Sequence, residues 1–415
     1  MSNPSQSPSL SDLTNTLKTA LSTLPPPSQI QDTERNELLS AISQLQNALE
    51  FPVLSIQRLC FSHYPLVMIR AAIAMGIFDV FIEAEAEGGK GEVTVVELLE
   101  NEKTKGDEVL LKRVMRFLCA HSLFKETAPE TYKALPMALL FGKGSIFGAM
   151  IKHFHACMQA SVKIPEYFET NDYRNPSDAL NAPFQLALNT TDHYFDWLHK
   201  NPEIQEAFNA VMTGAQQHRG ADWFEIYPVA EKLALNPAES NSSDDRVLLV
   251  DIGGGVGHDL VALRKAFPSF ALPGRLILQD LPHIVSGIKE PLPDGISAIP
   301  HDIFTPQPIV GAKAYYMRTV LHDFPDKQAL TALKHTRDAM APDSILLISE
   351  HVVPEGANVP PLAAIMDFHM MEVFGSLERT EQQWAELIEK SGFMNVKVYK
   401  GKLESIPMAL FEATA

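Results

Sequence analysis

Apolar residues recur at three- and four-residue spacing through Leu38-Ile42-Leu45-Leu49 and again through Leu110-Leu111-Val114-Phe117-Leu118. That is the period of a helix with one buried face, and it predicts a mainly helical stretch from Thr33 to about Val211. Farther on the period changes. Short apolar runs at Val247–Val250, Leu276–Leu278, Ile296–Ile299, Ala314–Met317 and Ile345–Ile348 alternate with helical segments, of which Lys327–Met340 is the clearest. Strands that alternate with helices predict an α/β fold with a doubly wound parallel sheet. Thr380, with Gln383 in the capping-box position, opens one more helix before two strand candidates, Val396–Tyr399 and Met408–Phe411. Two consecutive strands at the end of the chain predict an antiparallel hairpin at the sheet edge.

The division that follows is a Ser/Pro-rich arm over residues 1–32, a helical domain over 33–219 and an α/β domain over 220–415. The arm contains Pro25-Pro26-Pro27 and room for one short helix. A polar run from Asn236 to Asp245 reads as the loop before the first strand of the large sheet. Within the helical domain, Thr94–Leu99, a break at Gly106 and a second helix through Leu123 resemble a helix-turn-helix, with Phe124–Glu126 and Tyr132–Leu135 as a small wing. Residues 94–135 carry seven basic and seven acidic side chains. A local charge of zero argues for structural or dimerisation use of this winged-helix-like segment, not for DNA binding.

Composition narrows the classes further. The chain has 415 residues, 51 acidic against 34 basic, and a formal charge of -17, which repels nucleic-acid phosphate. Cys60, Cys119 and Cys157 have no paired spacing, so neither a disulfide framework nor a thiolate zinc site is expected. The first residues lack the basic patch and apolar run of a secretory signal, and no apolar run reaches the roughly 18 residues of a membrane span. A cytoplasmic protein with no membrane and no nucleic-acid partner is the expectation.

The chemistry concentrates where the first strand of the sheet runs into Asp251-Ile252-Gly253-Gly254-Gly255-Val256-Gly257. A glycine turn between strand and helix lets a ligand approach the backbone and aims helix N-terminal amides at it. Asp280 lies 23 residues beyond Gly257 at the end of the second strand, placed for the hydroxyls of a ribose, and Asp302 follows the third strand, placed for an adenine amino group. Three acids at successive strand ends predict an adenosine-containing ligand. A nicotinamide dinucleotide fits the glycines, but Asp251 beside them suits a cationic amino-acid moiety better than phosphate, as in S-adenosylmethionine.

The segments Val250–Gly257, Gln279-Asp280-Leu281-Pro282, His301-Asp302-Ile303-Phe304, Val320–Asp326, Ser349-Glu350 and Leu377-Glu378-Arg379-Thr380 resemble, in order, those of the metal-independent small-molecule O-methyltransferases of the plant caffeate type and their fungal relatives. The similarity runs from about Phe51 to the C-terminus. It implies a Rossmann-like S-adenosylmethionine-binding domain, a homodimer, and cofactor contacts from Asp251, Gly253, Gly255, Gly257, Asp280, Leu281, Asp302, Ile303 and Arg318. It also implies that His322 is the catalytic base, flanked by Glu350 and Glu378. The chemistry agrees: a phenol has a pKa near 10, so methyl transfer to its oxygen needs a base, and the imidazole needs an adjacent carboxylate to hold its tautomer. Asp323 is a third possible orienter, which the sequence leaves unranked.

Three departures stand out. Arg318 replaces a lysine, Phe324 replaces a tryptophan, and Met370–Ser376 is about one residue shorter than the plant pattern. Specificity therefore does not carry over, and the acceptor is expected only as a small aromatic, polyketide or alkaloid-like molecule. Phe154, Met158 and Phe184 are the expected roof of its pocket, and Met370 and Phe374, four apart on one helical face, the floor. His153 and His155 diverge by about 200 degrees on a helix, so no metal is expected. Some fungal relatives are pericyclases, which use the bound sulfonium's charge for a cyclisation without consuming it. That is the alternative function, and retention of His322, Glu350 and Glu378 favours transfer over it.

Overall fold

The computed structural model describes residues 9–26, 29–88, 91–217, 222–234, 246–269, 271–356, 359–401 and 407–415. The polar run Asn236–Asp245 and the first eight residues lie outside them. By contacts the chain forms two units, Met1–Tyr64 and Pro65–Ala415.

The first unit contains helices Leu10–Thr23, Asp32–Leu49 and Pro52–Cys60. Ser9 caps the first: its hydroxyl accepts from the Asp12 amide at 3.1 Å while the Asp12 carboxylate accepts the Ser9 amide at 3.2 Å. Glu50 ties the second helix to the third through Arg58 at 2.8 Å and the Ser55 hydroxyl at 2.8 Å. The periodic apolar residues Leu38, Ile42 and Leu49 are exposed, and none of the described residues of this unit is buried.

In the second unit the two segments expected as a wing form strands, and a third strand joins them. Strands β1 (Glu92–Thr94), β2 (Phe124–Ala128) and β3 (Thr131–Ala134) pair antiparallel in the order β1-β3-β2. Thr94 and Glu97 form a capping box on helix Val95–Glu100, and Gly106, at φ 127°, makes the break before Asp107 caps helix Glu108–Ala120. Phe78, Phe81, Leu98, Leu111, Leu118 and Phe124 close a core between these elements. Among the described residues no single helix is long and apolar enough to cross a membrane.

The large sheet comprises β4 (Val247–Ile252), β5 (Arg275–Asp280), β6 (Ile296–Pro300), β7 (Ala314–Arg318), β8 (Ile345–His351), β9 (Met394–Lys400) and β10 (Met408–Thr414), in the order β6-β5-β4-β7-β8-β10-β9. Strands β4 to β8 are parallel and β10 is antiparallel to both neighbours. The terminal hairpin thus reverses at the edge: the last strand inserts beside β8, and β9 is outermost. Alternate residues pack on opposite faces, with Val250, Ile252, Ile277, Met317 and Ile348 in one core and Leu249, Leu276, Leu278, Tyr316 and Leu347 in another. Burial on both faces explains why these strands read as continuous apolar runs; each side chain fully buried contributes about 1.5–3 kcal/mol relative to exposure. Strand order reverses at β4, between β5 and β7, and ligand crevices in doubly wound sheets lie at such a reversal, beyond the carboxyl ends of the strands.

Candidate active site

At the carboxyl end of β4 the chain turns through Gly253, Gly255 and Gly257, with φ of 72°, 62° and 88°, and enters helix His258–Ala266. The left-handed region explains the glycines here. Gly254 is required by space: a Cβ on it would lie 2.4 Å from an Asp251 carboxylate oxygen and 2.6 Å from Leu278. A Cβ on Gly255 meets nothing within 4 Å, so the loop backbone there borders open space.

Asp280, at the end of β5, accepts the Gly255 amide on one oxygen and the Leu281 amide on the other, both at 2.7 Å. Burial raises its pKa, and the two amides pull it back. Asp251 is buried. Asp302 is exposed beside half-buried Ile303, and its carboxylate accepts the Phe304 amide at 2.9 Å. Arg318, at the end of β7, reaches back to Asp259 at 3.4 Å, and Asp259 also accepts the Tyr316 hydroxyl at 3.2 Å. This Asp259–Tyr316 anchor for Arg318 escaped the sequence reading because its two residues lie 57 positions apart. All nine expected cofactor residues lie along the strand ends and their following turns from β4 to β7.

His322 lies in the short 3-10 turn Leu321–Asp323 that follows β7. Its Nδ1 is 3.0 Å from Glu378 Oε1 and its Nε2 is 3.6 Å from Asp323 Oδ1. Glu350, fully buried on β8, does not bond the imidazole; its Oε1 accepts the Val320 and Leu321 amides at 3.0 and 2.8 Å and so fixes the turn. Ser376 donates to the His322 carbonyl, and buried Arg379 donates to the Leu321 and Phe324 carbonyls at 3.3 and 2.9 Å. The turn needs this fastening because Thr319 is held at φ 46°, an uncommon conformation for a β-branched residue. Glu378 itself is oriented by Asp367, which accepts its amide at 2.8 Å.

Burial disfavours the His322 imidazolium, yet Asp323, Glu378 and Glu350 together outweigh it and raise the pKa to about 10. Burial also works against charge on Glu378, but the adjacent imidazolium holds it below the ordinary glutamate range. Asp323 is pushed up to about 7 by burial and by the two glutamates. His351, its ring 5.8 Å from that of His322, is lowered to about 4, first by burial and then by His322. The cluster therefore favours the charged imidazole, while the crowding of acids around it raises Asp323 and Glu350. A small pocket lined by His351, Val352, Val353, Ala363, Met366 and Glu378 adjoins it.

The five expected acceptor-pocket residues divide. Phe184, Met370 and Phe374 are buried in one cluster with Tyr194 and Leu198, whereas Phe154 and Met158 remain half-buried on helix Ile146–Ser161. Phe324 is buried against His193, with nearly parallel rings 5.5 Å apart, and meets Phe304 edge-on at 5.1 Å.

Residues 181–394 match the O-methyltransferase domain family. The chain is 32% identical over 385 residues to demethylsterigmatocystin 6-O-methyltransferase of Aspergillus flavus, covering 92% of this chain and 95% of that one. The chain belongs to the O-methyltransferase family. Among solved structures, this methyltransferase is similar to a cysteine-to-alanine variant of LepI in complex with S-adenosylhomocysteine and a substrate analogue, with a TM-score of 0.83, 28% identity, and coverage of 98% of this chain and 100% of the other. It is equally similar to a structure described as a pericyclic reaction enzyme, with a TM-score of 0.82, 27% identity and the same coverage. S-adenosylmethionine is thus the cofactor of this methyltransferase. The site fits it: open space at Gly255, buried Asp251 at the glycine turn, and a carboxylate fixed by two amides at the end of β5.

Proposed function

We propose that the chain moves a methyl group from S-adenosylmethionine to a phenolic or enolic hydroxyl of a small secondary metabolite, with His322 as general base. The observation that supports this reading is the 3.0 Å contact between His322 Nδ1 and Glu378, which leaves Nε2, 3.6 Å from Asp323, as the nitrogen available to an acceptor hydroxyl. S-adenosylmethionine, when bound, supplies a methyl already activated for in-line displacement and leaves as S-adenosylhomocysteine. The chain's part is to take the acceptor proton on Nε2, so that the oxygen lone pair is free for the methyl, and to stabilise the resulting imidazolium with Glu378. The carboxylates favour the imidazolium, and a nearby sulfonium charge opposes them, moving His322 toward the range of a base.

Cofactor contacts are assigned to Asp251 and the backbone of Gly253, Gly255 and Gly257 for the amino-acid end, Asp280 and Leu281 for the ribose, and Asp302, Ile303 and Arg318 for the adenine side. Phe154 and Met158, half-buried, suit an acceptor pocket, with Phe184, Met370 and Phe374 as its packed wall. The small sheet and its helices make a winged-helix-like module. The exposed apolar residues of the first unit, Leu21 and Phe51 each at 73% and Leu59 at 67%, support a homodimer formed through it, because apolar side chains left to solvent favour association. Sedimentation at micromolar concentration checks this, and a monomer overturns it.

A second reading is favoured by the same imidazolium and by the pericyclic neighbour: a cationic His322 beside a sulfonium polarises a substrate for dehydration or cyclisation without cofactor turnover. One experiment separates the two. Polyketide, alkaloid and pyridone candidates are incubated with methyl-labelled S-adenosylmethionine, using wild type and His322→Ala. Label in product, lost in the variant, supports transfer; isomerised or dehydrated product with the cofactor intact replaces it with the pericyclic reading.

A further inference from the structure

Helix Ile146–Ser161 packs against helix Pro361–Phe374, and the polar atoms at that contact have no part in the chemistry assigned to His322. His153 and Cys157 share one face of the first helix and His369 projects from the second; one donor atom from each lies within 4.8 Å of the others. His153 directs Nε2 at Cys157 Sγ, 3.8 Å away, and Nδ1 at the Tyr194 hydroxyl, 3.4 Å away. His369 Nδ1 is 3.1 Å from the buried Glu372 carboxylate. A carboxylate in that position keeps the proton on Nδ1 and leaves the Nε2 lone pair for another partner. Two imidazoles and a thiol, with the far nitrogens held by a carboxylate and a phenol, have the donor set and outer shell of a soft-cation site. His155, two positions from His153 on the same helix, lies on a different helical face, and the partner that meets His153 is 216 positions away.

We propose that His153 Nε2, Cys157 Sγ and His369 Nε2 bind one zinc-class divalent cation, with Glu372 and Tyr194 as outer shell and the fourth position left to water or an acceptor oxygen. Bond lengths of about 2.0–2.3 Å require the donors to draw together by roughly 1 Å, a side-chain adjustment. Burial lowers His153 to about 4, so its lone pair is available at neutral pH. Burial pushes the Cys157 thiol up to about 12, so the cation must displace its proton and binding releases one proton to solvent. Phe154 packs 5.3 Å from the His369 ring. Occupancy is therefore expected to alter acceptor KM and to leave cofactor affinity unchanged.

The test uses the full chain, stripped of metal and titrated with Co2+ as a spectroscopic probe and with Zn2+ in competition. One equivalent is expected, with a thiolate-to-cobalt charge-transfer band in the near ultraviolet, both removed by Zn2+. Cys157→Ser abolishes that band, and Cys157→Ser and His369→Gln each weaken Zn2+ binding by at least about tenfold. His283→Ala, which breaks up the surface pair His199–His283 with its rings 4.6 Å apart, leaves binding unchanged. Melting curves of the metal-free variants establish that they fold. Absence of the thiolate band in wild type, which needs no variant, overturns the proposal. So does Zn2+ binding that survives the two trio substitutions or is lost with His283→Ala.

Discussion

The two halves of the site hold their carboxylates in opposite ways. In the cofactor half, Asp280 is fixed by main-chain amides of Gly255 and Leu281, so its place follows from the course of the loop. In the base half, half-buried His322 and Asp323 and buried Glu378 hold one another by charge, and Glu350, though fastened to the Val320 and Leu321 amides, adds its charge to the same group. A backbone-held acid responds to substitution locally. A mutually held cluster titrates as one system, so any change in it shifts the others.

The largest effect separating the halves is expected from His322→Ala. Loss of a positioned base lowers kcat by about 10²–10⁴ fold, while S-adenosylmethionine affinity, set in the other half, stays within a few fold. Methyl-label turnover and calorimetric binding on the same preparation check both statements. A parallel loss of cofactor affinity would show that the halves are not independent.

Next come two carboxylate-to-amide substitutions, one in each half. Glu378→Gln removes an anion that favours the imidazolium, so the His322 pKa falls and the rise of activity with pH moves to lower pH, by about one unit or more. Its pH–rate profile against wild type is the measurement. Asp280→Asn leaves that profile in place. Weakening charge-assisted hydrogen bonds worth about 1.5–3 kcal/mol, it instead lowers cofactor affinity by roughly 10- to 100-fold, measured by calorimetry. If Asp280→Asn shifts the profile as Glu378→Gln does, the contrast between the halves fails.

How much of this was legible in the sequence follows the same line. Strands β4, β5, β7 and β8 read directly, because burial on both faces leaves an unbroken apolar run, and the Thr380–Gln383 cap reads because its partners are three residues apart. The hairpin reads as two strands, but its reversed order at the edge depends on pairing with β8, which no local pattern encodes. Backbone-directed roles were hidden in the same way: Glu350 looks like a partner of the base, yet it bonds the amides of Val320 and Leu321 some 30 positions away. The fastening of the His322 turn by Ser376 and Arg379 depends on contacts across more than 50 positions. Asp323 could be named but not ranked until its 3.6 Å approach to Nε2 was seen.

The smallest effects test whether the glycine turn serves the fold or the cofactor. Gly254 does not have a left-handed backbone, so alanine is acceptable to its main chain, but its Cβ would press on Asp251 and Leu278 at 2.4 and 2.6 Å. Overpacking of this kind costs about 1–3 kcal/mol, and Gly254→Ala is expected to lower the melting temperature. Gly255 is the reverse case: its φ of 62° costs an L-residue about 1–2 kcal/mol, yet its Cβ meets no protein atom within 4 Å. A methyl there enters the space assigned to S-adenosylmethionine, so Gly255→Ala is expected to lose proportionately more cofactor affinity than Gly254→Ala for the same loss of stability. Melting curves with and without S-adenosylhomocysteine distinguish them: the ligand-induced shift shrinks in Gly255→Ala and largely persists in Gly254→Ala. Equal shrinkage in both would mean that Asp251, not the open backbone at Gly255, sets the cofactor's position.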